Sequence, residues 1–201
     1  MGPERLEALA ESYIEHVAVI LRYKDTGANL RDFLDPWWVY DRESKLPFTD
    51  RKASLVKVQR LGGYTPHTFN FPCPHVHVRR FDRFDFISDD AQTVIDLGEA
   101  ARIRNKKNHP LHLRLMVDHV VPFAALGPEL LRDPTLHSPT RLGEFLARHF
   151  MRALITKQSD DGQRLAEGHL GSRMPEGWQF WRDDPFERYE VAGIAGKRRG
   201  A

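Results

Sequence analysis

Cysteine is nearly absent from this chain: Cys73 is the only one in 201 residues. A single thiol excludes an internal disulfide and leaves no sulfur ligand set for a structural zinc site. The compartment this suggests is a reducing cytoplasm. Long apolar runs are missing as well, so no stretch approaches the roughly 20 residues that a membrane-spanning helix needs. The opening Met-Gly-Pro-Glu-Arg leads into a charged amphipathic segment rather than the apolar core expected of a signal peptide. Neither sign of charge dominates. Thirty Lys and Arg against 28 Asp and Glu leave a formal net charge of +2, too mild for the total to define a nucleic-acid binder. Repeats, low-complexity tracts and linkers are also lacking, and no asparagine occurs after Asn108. What remains is 41% hydrophobic and 29% charged, a composition that folds around a core rather than staying disordered. The length suits one domain, or a compact domain with an appended one.

Apolar periodicity divides the chain into elements. From Glu4 to about Lys24, Leu6, Leu9, Tyr13, Ile14, Val17, Ile20 and Leu21 recur at three- and four-residue spacing, which predicts an amphipathic helix stopped near Gly27. Leu34-Asp35-Pro36-Trp37-Trp38-Val39-Tyr40 is a dense aromatic segment, expected to fill a core or seam in preference to stacking bases. Residues 53–59 read as a strand or short helix closed by Gly62-Gly63, and 69–86 alternate as a hairpin would. A helix is expected from Asp89 to about Lys106 with Ser88 as its cap. Residues 111–121 form a strand ended by Pro122, and 123–131 a short helix or compact turn. Ser138 followed by Pro139 marks a helix start, with Leu142, Phe145, Leu146 and Phe150 on its apolar face. A short strand at 153–156 and a helix opened by Ser159-Asp160-Asp161 follow. From Met174 the chain reads as an aromatic loop wrapped back onto the core. The class expected is α+β.

One segment carries more chemistry than the rest. Val117-Asp118-His119-Val120-Val121-Pro122 sets a carboxylate and an imidazole side by side at a strand end. Hydrolysis of a phosphodiester needs an activated water and a cation to neutralise charge building on the phosphate. Histidine, with an unperturbed pKa of about 6.5, can take up a proton near neutral pH, and a carboxylate suits a hard ion such as Mg²⁺. Neighbouring strand residues face opposite sides, so both groups serve one site only if the strand end twists, which Pro122 accommodates. Just upstream, Arg102, Arg104, Lys106 and Lys107 have no acid among them, and Lys197-Arg198-Arg199 form a second cluster. Both suit phosphate contacts that carry no sequence information; a solvated loop and tail would have the same composition.

The order of elements and the tail resemble the HNH, or ββα-metal, nucleases. After the Asp-His strand come an irregular stretch, the strand at 153–156 and the helix from Ser159, which is the strand–loop–strand–helix order of that motif. Leu154-Ile155-Thr156, Arg164-Leu165, Met174-Pro175-Glu176-Gly177-Trp178, Phe186-Glu187-Arg188-Tyr189 and Ala192-Gly193-Ile194 are similar to a bacterial HNH-type family. Its members end in Met-Pro-x-Gly-Trp and Ala-Arg-x-x-x-Ala-Gly-Ile arrangements. The resemblance covers roughly residues 111–194. It divides the chain into residues 1–100, a helical and β region of unassigned role, and 101–201, an HNH-like ββα-metal region packed with the first. It implies a metal-dependent endonuclease acting on nucleic acid, with DNA favoured. His119 would be the general base and Asp118 a ligand of one divalent ion, Mg²⁺ first and Mn²⁺ or Zn²⁺ as alternatives. Arg102, Arg104, Lys106 and Lys107 would hold the phosphates. The family's middle position is usually asparagine, and this chain departs from that. His149 is the replacement favoured as a metal ligand, with Arg152, Asp160 and Asp161 nearby; a helix-end histidine bonded to the last carbonyls is the structural alternative.

Two rival readings stand beside it. His75-Val76-His77 puts two imidazoles on one strand face, a spacing used by cupin-type non-haem metal oxidoreductases. Asp82 or Asp85 would be the carboxylate and His112 or His119 the remote histidine, although the glycines that pace the cupin motif are missing. The other rival is a non-catalytic nucleic-acid-binding module on an HNH-like scaffold, consistent with the absent asparagine.

Overall fold

The structure, a computed structural model, describes residues 3–23, 30–45, 84–100, 115–157 and 161–198. Helices and a small sheet are mixed, as the α+β class expected from the sequence requires. Among the described residues the order is α1 (Pro3–Tyr23), α2 (Arg31–Ser44), β1 (Phe86–Ser88), α3 (Asp89–Ala100), β2 (Leu115–His119), α4 (Phe123–Arg132), α5 (Pro139–His149), β3 (Arg152–Thr156), α6 (Asp161–Glu167), α7 (Glu187–Val191) and β4 (Gly196–Arg198), with a 3₁₀ turn at Pro134–His137. Two compact units account for them: Met1–Phe69 with Gly127–Ala147, and Asn70–Leu126 with Arg148–Ala201. No helix among the described residues is long and apolar enough to cross a membrane.

In the first unit, α1 follows its sequence periodicity. Leu6, Ala10, Val17, Ala18, Ile20 and Leu21 are buried, while Glu4 in the first turn and Arg22 in the last complement the helix dipole. The aromatic segment expected to fill a core does so: Trp37 and Trp38 are each 2% exposed. It is also a helix, although Pro36 lies inside it and argues against one in the sequence. An interior proline costs about 3 kcal/mol. Each buried indole removes on the order of 200 Å² from water, an upper estimate of about 5 kcal/mol per ring at about 25 cal/mol/Å². Burial therefore outweighs the missing backbone bond. Tyr13 stacks on Tyr40 at 5.8 Å and His16 meets Phe33 at 4.8 Å, joining α1 to α2. The face expected on α5 is present, with Leu142, Phe145 and Leu146 fully buried.

The second unit is built on a four-stranded sheet of order β2–β3–β1–β4. β2 and β3 are antiparallel, with Asp118 opposite Ala153 and His119 opposite Arg152; β3 and β1 are parallel, and β1 and β4 antiparallel. Every residue of β3 is buried. Ser88 caps α3 as expected, its Oγ accepting from Ala91 N at 3.1 Å, and the same hydroxyl donates to Asp161 Oδ2 at 2.5 Å. That carboxylate oxygen also accepts from the N and Oγ1 of Thr156, each at 3.0 Å. Asp161 thus ties β1, β3 and α6 together from a fully shielded position. β4 is a strand where the sequence predicts a basic tail. Gly196 is required where it meets β1, since a Cβ there would lie on the Ile87 carbonyl oxygen and 2.6 Å from Phe86 Cζ. Phe86, Val120, Ala153, Ile155, Leu165, Leu170, Phe186, Tyr189 and Ile194 form the core beneath the sheet.

Candidate functional site

The Asp-His pair sits at the end of β2, where the antiparallel register continues one residue further through Val120 N donating to Met151 O at 2.9 Å. Asp118 Oδ1 accepts from His119 N at 2.9 Å, and Oδ2 accepts from the Tyr189 hydroxyl at 2.9 Å and from Arg188 Nη2. The short helix α7 delivers both partners, 70 and 71 residues further along the chain. Arg188 is wholly buried. Its Nη1 donates to Leu170 O at 2.7 Å, and its Nη2 also to His119 O at 2.7 Å and to Tyr189 Oη at 3.2 Å. Tyr189 is fixed in turn by Phe86, whose ring lies parallel to it at 5.0 Å. Two segments that carry the HNH resemblance, the Asp-His strand and the Arg-Tyr tail, are therefore in direct contact.

Burial dominates the electrostatics here. It pushes the Asp118 carboxyl above the usual aspartate value, against the opposing pull of the Arg188 cation, the Tyr189 hydroxyl and the His119 N–H. The Tyr189 phenol is pushed well above its ordinary value by burial first and by the neighbouring Asp118 charge second. The His119 ring is half-buried, with Phe150 at 5.5 Å and Phe123 at 6.4 Å.

His149, at the end of α5, lies in a different setting. It is wholly buried, and three rings meet it edge-on: Phe180 at 5.1 Å, Trp181 at 5.5 Å and Trp178 at 6.0 Å, at interplanar angles of 88°, 84° and 89°. Trp181 holds this position with a φ of 67°, a left-handed conformation that is uncommon for a bulky side chain. Burial, with a smaller contribution from Arg148, lowers the imidazole pKa to about 4, so His149 is neutral at neutral pH. The aromatic tail expected to wrap back onto the core thus closes over this histidine.

The fit of these groups to a divalent ion follows from their partners. The Asp118 carboxylate is shared among a guanidinium, a phenol and an amide, and His149 is surrounded by indole and phenyl edges. Among the described residues no three His, Cys, Asp or Glu side chains converge where they could hold a metal. With Arg188 in place, the donor set does not fit such an ion. Asp85, a carboxylate of the cupin-type reading, accepts from Arg152 N at 2.9 Å and is buried. Arg198 pairs with Asp184 at 2.6 Å and with Glu190, and lies over the Phe186 ring. Arg102, Arg104, Lys106, Lys107, Arg199, Cys73, His75, His77, Asp82, His109 and His112 lie outside the described residues.

Sequence reasoning assigns no role to Arg188 or Tyr189 and only a neighbouring one to Asp161. Arg188 and Tyr189 do stand within the Phe-Glu-Arg-Tyr motif, but nothing in one sequence says that residues 70 positions apart touch. Comparisons with protein-family models, with curated proteins and with solved structures return no match for this chain.

Proposed function

We propose that this chain binds nucleic acid, with DNA favoured, on an HNH-like ββα core, and that the core does not cleave what it binds. The observation behind this reading is the Arg188 guanidinium seated on the Asp118 carboxylate. It occurs at the end of a strand that pairs with β3, itself followed by α6, with α4 and α5 standing between β2 and β3 along the chain where the resembled motif has a loop. A hydrolase of that kind needs a cation able to reach the scissile phosphate, and the cation beside Asp118 is shielded from solvent. Binding would then rest on charge, with Arg102, Arg104, Lys106 and Lys107 on phosphate oxygens.

A second reading, the metal-dependent endonuclease with His119 as general base, is favoured by the position of His119 beside Asp118 on a β2–β3 pair followed by α6. It requires Arg188 to leave Asp118 so that Asp118 can ligate a divalent ion.

Fluorescence anisotropy of a labelled DNA duplex tests the binding reading. Affinity is expected to fall steeply as salt rises from about 50 to about 200 mM. Replacing Arg102, Arg104, Lys106 and Lys107 by Ala is expected to flatten the log–log slope by about 0.9 for each phosphate that these side chains neutralise. Absence of binding at low salt, or an unchanged slope in the variant, would contradict it.

A further inference from the structure

We infer that the Arg188 guanidinium is the resident cation of the Asp118 site, held in an oxygen-lined pocket made for a planar fork and closed to divalent metal. This rests on the same Arg188–Asp118 pair as the non-cleaving part of the proposed function, but it does not depend on nucleic-acid binding, which can fail while the metal and guanidinium tests below succeed.

Four oxygens face the two terminal nitrogens. Leu170 O takes Nη1, and Asp118 Oδ2, His119 O and Tyr189 Oη take Nη2. They come from β2, from the turn after α6 and from α7, and only a donor group that branches in a plane can serve Leu170 on one side and β2 on the other. Guanidinium has that shape and keeps its charge at any ordinary pH. An ammonium is a single point and reaches one side at a time. A divalent ion prefers near-octahedral or higher oxygen coordination and usually retains water; here the place beside Asp118 Oδ2 is taken by a guanidinium that is itself wholly buried, although the Asp118 side chain is partly exposed, and one wall is the Tyr189 ring, 4.9 Å from the guanidinium carbon. Nε has no hydrogen-bond partner among the described residues. Binding therefore falls to the two terminal nitrogens, the part that a small guanidinium compound would reproduce. With Arg188 shortened, the pocket would accept an alkylguanidinium ion from solution.

Thermal melting of the full chain tests both halves. For the native protein, millimolar Mg²⁺, Mn²⁺ or Ca²⁺ and EDTA are expected to leave the melting temperature unchanged. A saturable metal-dependent rise, of roughly 5–10 °C at a hundredfold excess over Kd, that disappears in Asp118→Asn would overturn the inference. Arg188→Ala is expected to melt lower and to recover part of the loss with millimolar ethylguanidinium but not with ethylammonium or Mn²⁺. Recovery with Mn²⁺ in place of ethylguanidinium, or no loss on substitution, would also overturn it. If Arg188→Ala fails to fold, Arg188→Lys decides: a lower melting temperature supports a fork-specific pocket, and native-like melting refutes it.

Discussion

His149→Phe separates one titration from all others in the protein. The imidazole is wholly buried against Phe180, Trp181 and Trp178, and its pKa falls from the usual 6.5 to about 4. A histidine with a depressed folded-state value binds its proton more readily in the unfolded chain. Between about pH 6.5 and pH 4 the unfolded state therefore gains protons that the folded state does not, so stability is full above about pH 6.5 and declines as the pH falls towards 4. At about 1.4 kcal/mol per unit, the difference between the two values amounts to roughly 3 kcal/mol across that window. Phenylalanine keeps a ring of similar size in the aromatic enclosure and removes the proton. Urea unfolding followed by tryptophan fluorescence, at steps between pH 7.5 and 4.5, gives the stability of both proteins. Carboxylate titrations affect both alike, so the native-minus-variant difference isolates His149. That difference is expected to shift against the native protein by roughly 2–3 kcal/mol as the pH drops through the window. Parallel curves would refute the argument, since they would mean that the imidazole protonates as easily inside the enclosure as outside it.

Tyr189→Phe removes the hydroxyl that donates to Asp118 and accepts from Arg188 while keeping the ring stacked on Phe86; a loss of about 1–3 kcal/mol in urea unfolding is expected. Gly196→Ala places a methyl group on the Ile87 carbonyl and the Phe86 ring. It is expected to cost about 1–3 kcal/mol by overpacking and to raise hydrogen exchange at the β4 amides. Ser88→Ala deletes both a helix cap and a donor to buried Asp161, and about 2 kcal/mol of destabilisation by calorimetry is expected.

Much of the fold is legible in the sequence because its signals are local. The 3.6-residue spacing in α1, the Ser88 cap of α3, the serine–proline start of α5 and the apolar run of β3 each sit within a few residues of what they determine. α2 is not legible, because Pro36 argues against a helix unless the burial of Trp37 and Trp38 is known, and that burial is a tertiary fact. β4 is hidden because Gly-Lys-Arg has no strand propensity; its pairing with β1 alone makes it one. The candidate site divides in the same way. The position of Asp118 and His119 at a strand end can be read directly, and so can the order of β2, β3 and α6. The partner of Asp118 cannot. An arginine in a polar, aromatic tail has the look of a surface residue, and only the folded chain brings it beneath His119. The place of His149 in the chain suggests a metal ligand, whereas its surroundings come from Trp178, Phe180 and Trp181, about thirty residues later.

Nicking of supercoiled plasmid in Mg²⁺ or Mn²⁺, against EDTA and against His119→Ala, puts the central claim to the most direct test. If Arg188 holds Asp118 closed to metal, the plasmid stays supercoiled in every lane while the protein still retards it on a gel at low salt. Metal-dependent nicking by the native chain that EDTA and His119→Ala both abolish would contradict the claim and establish the endonuclease reading in its place.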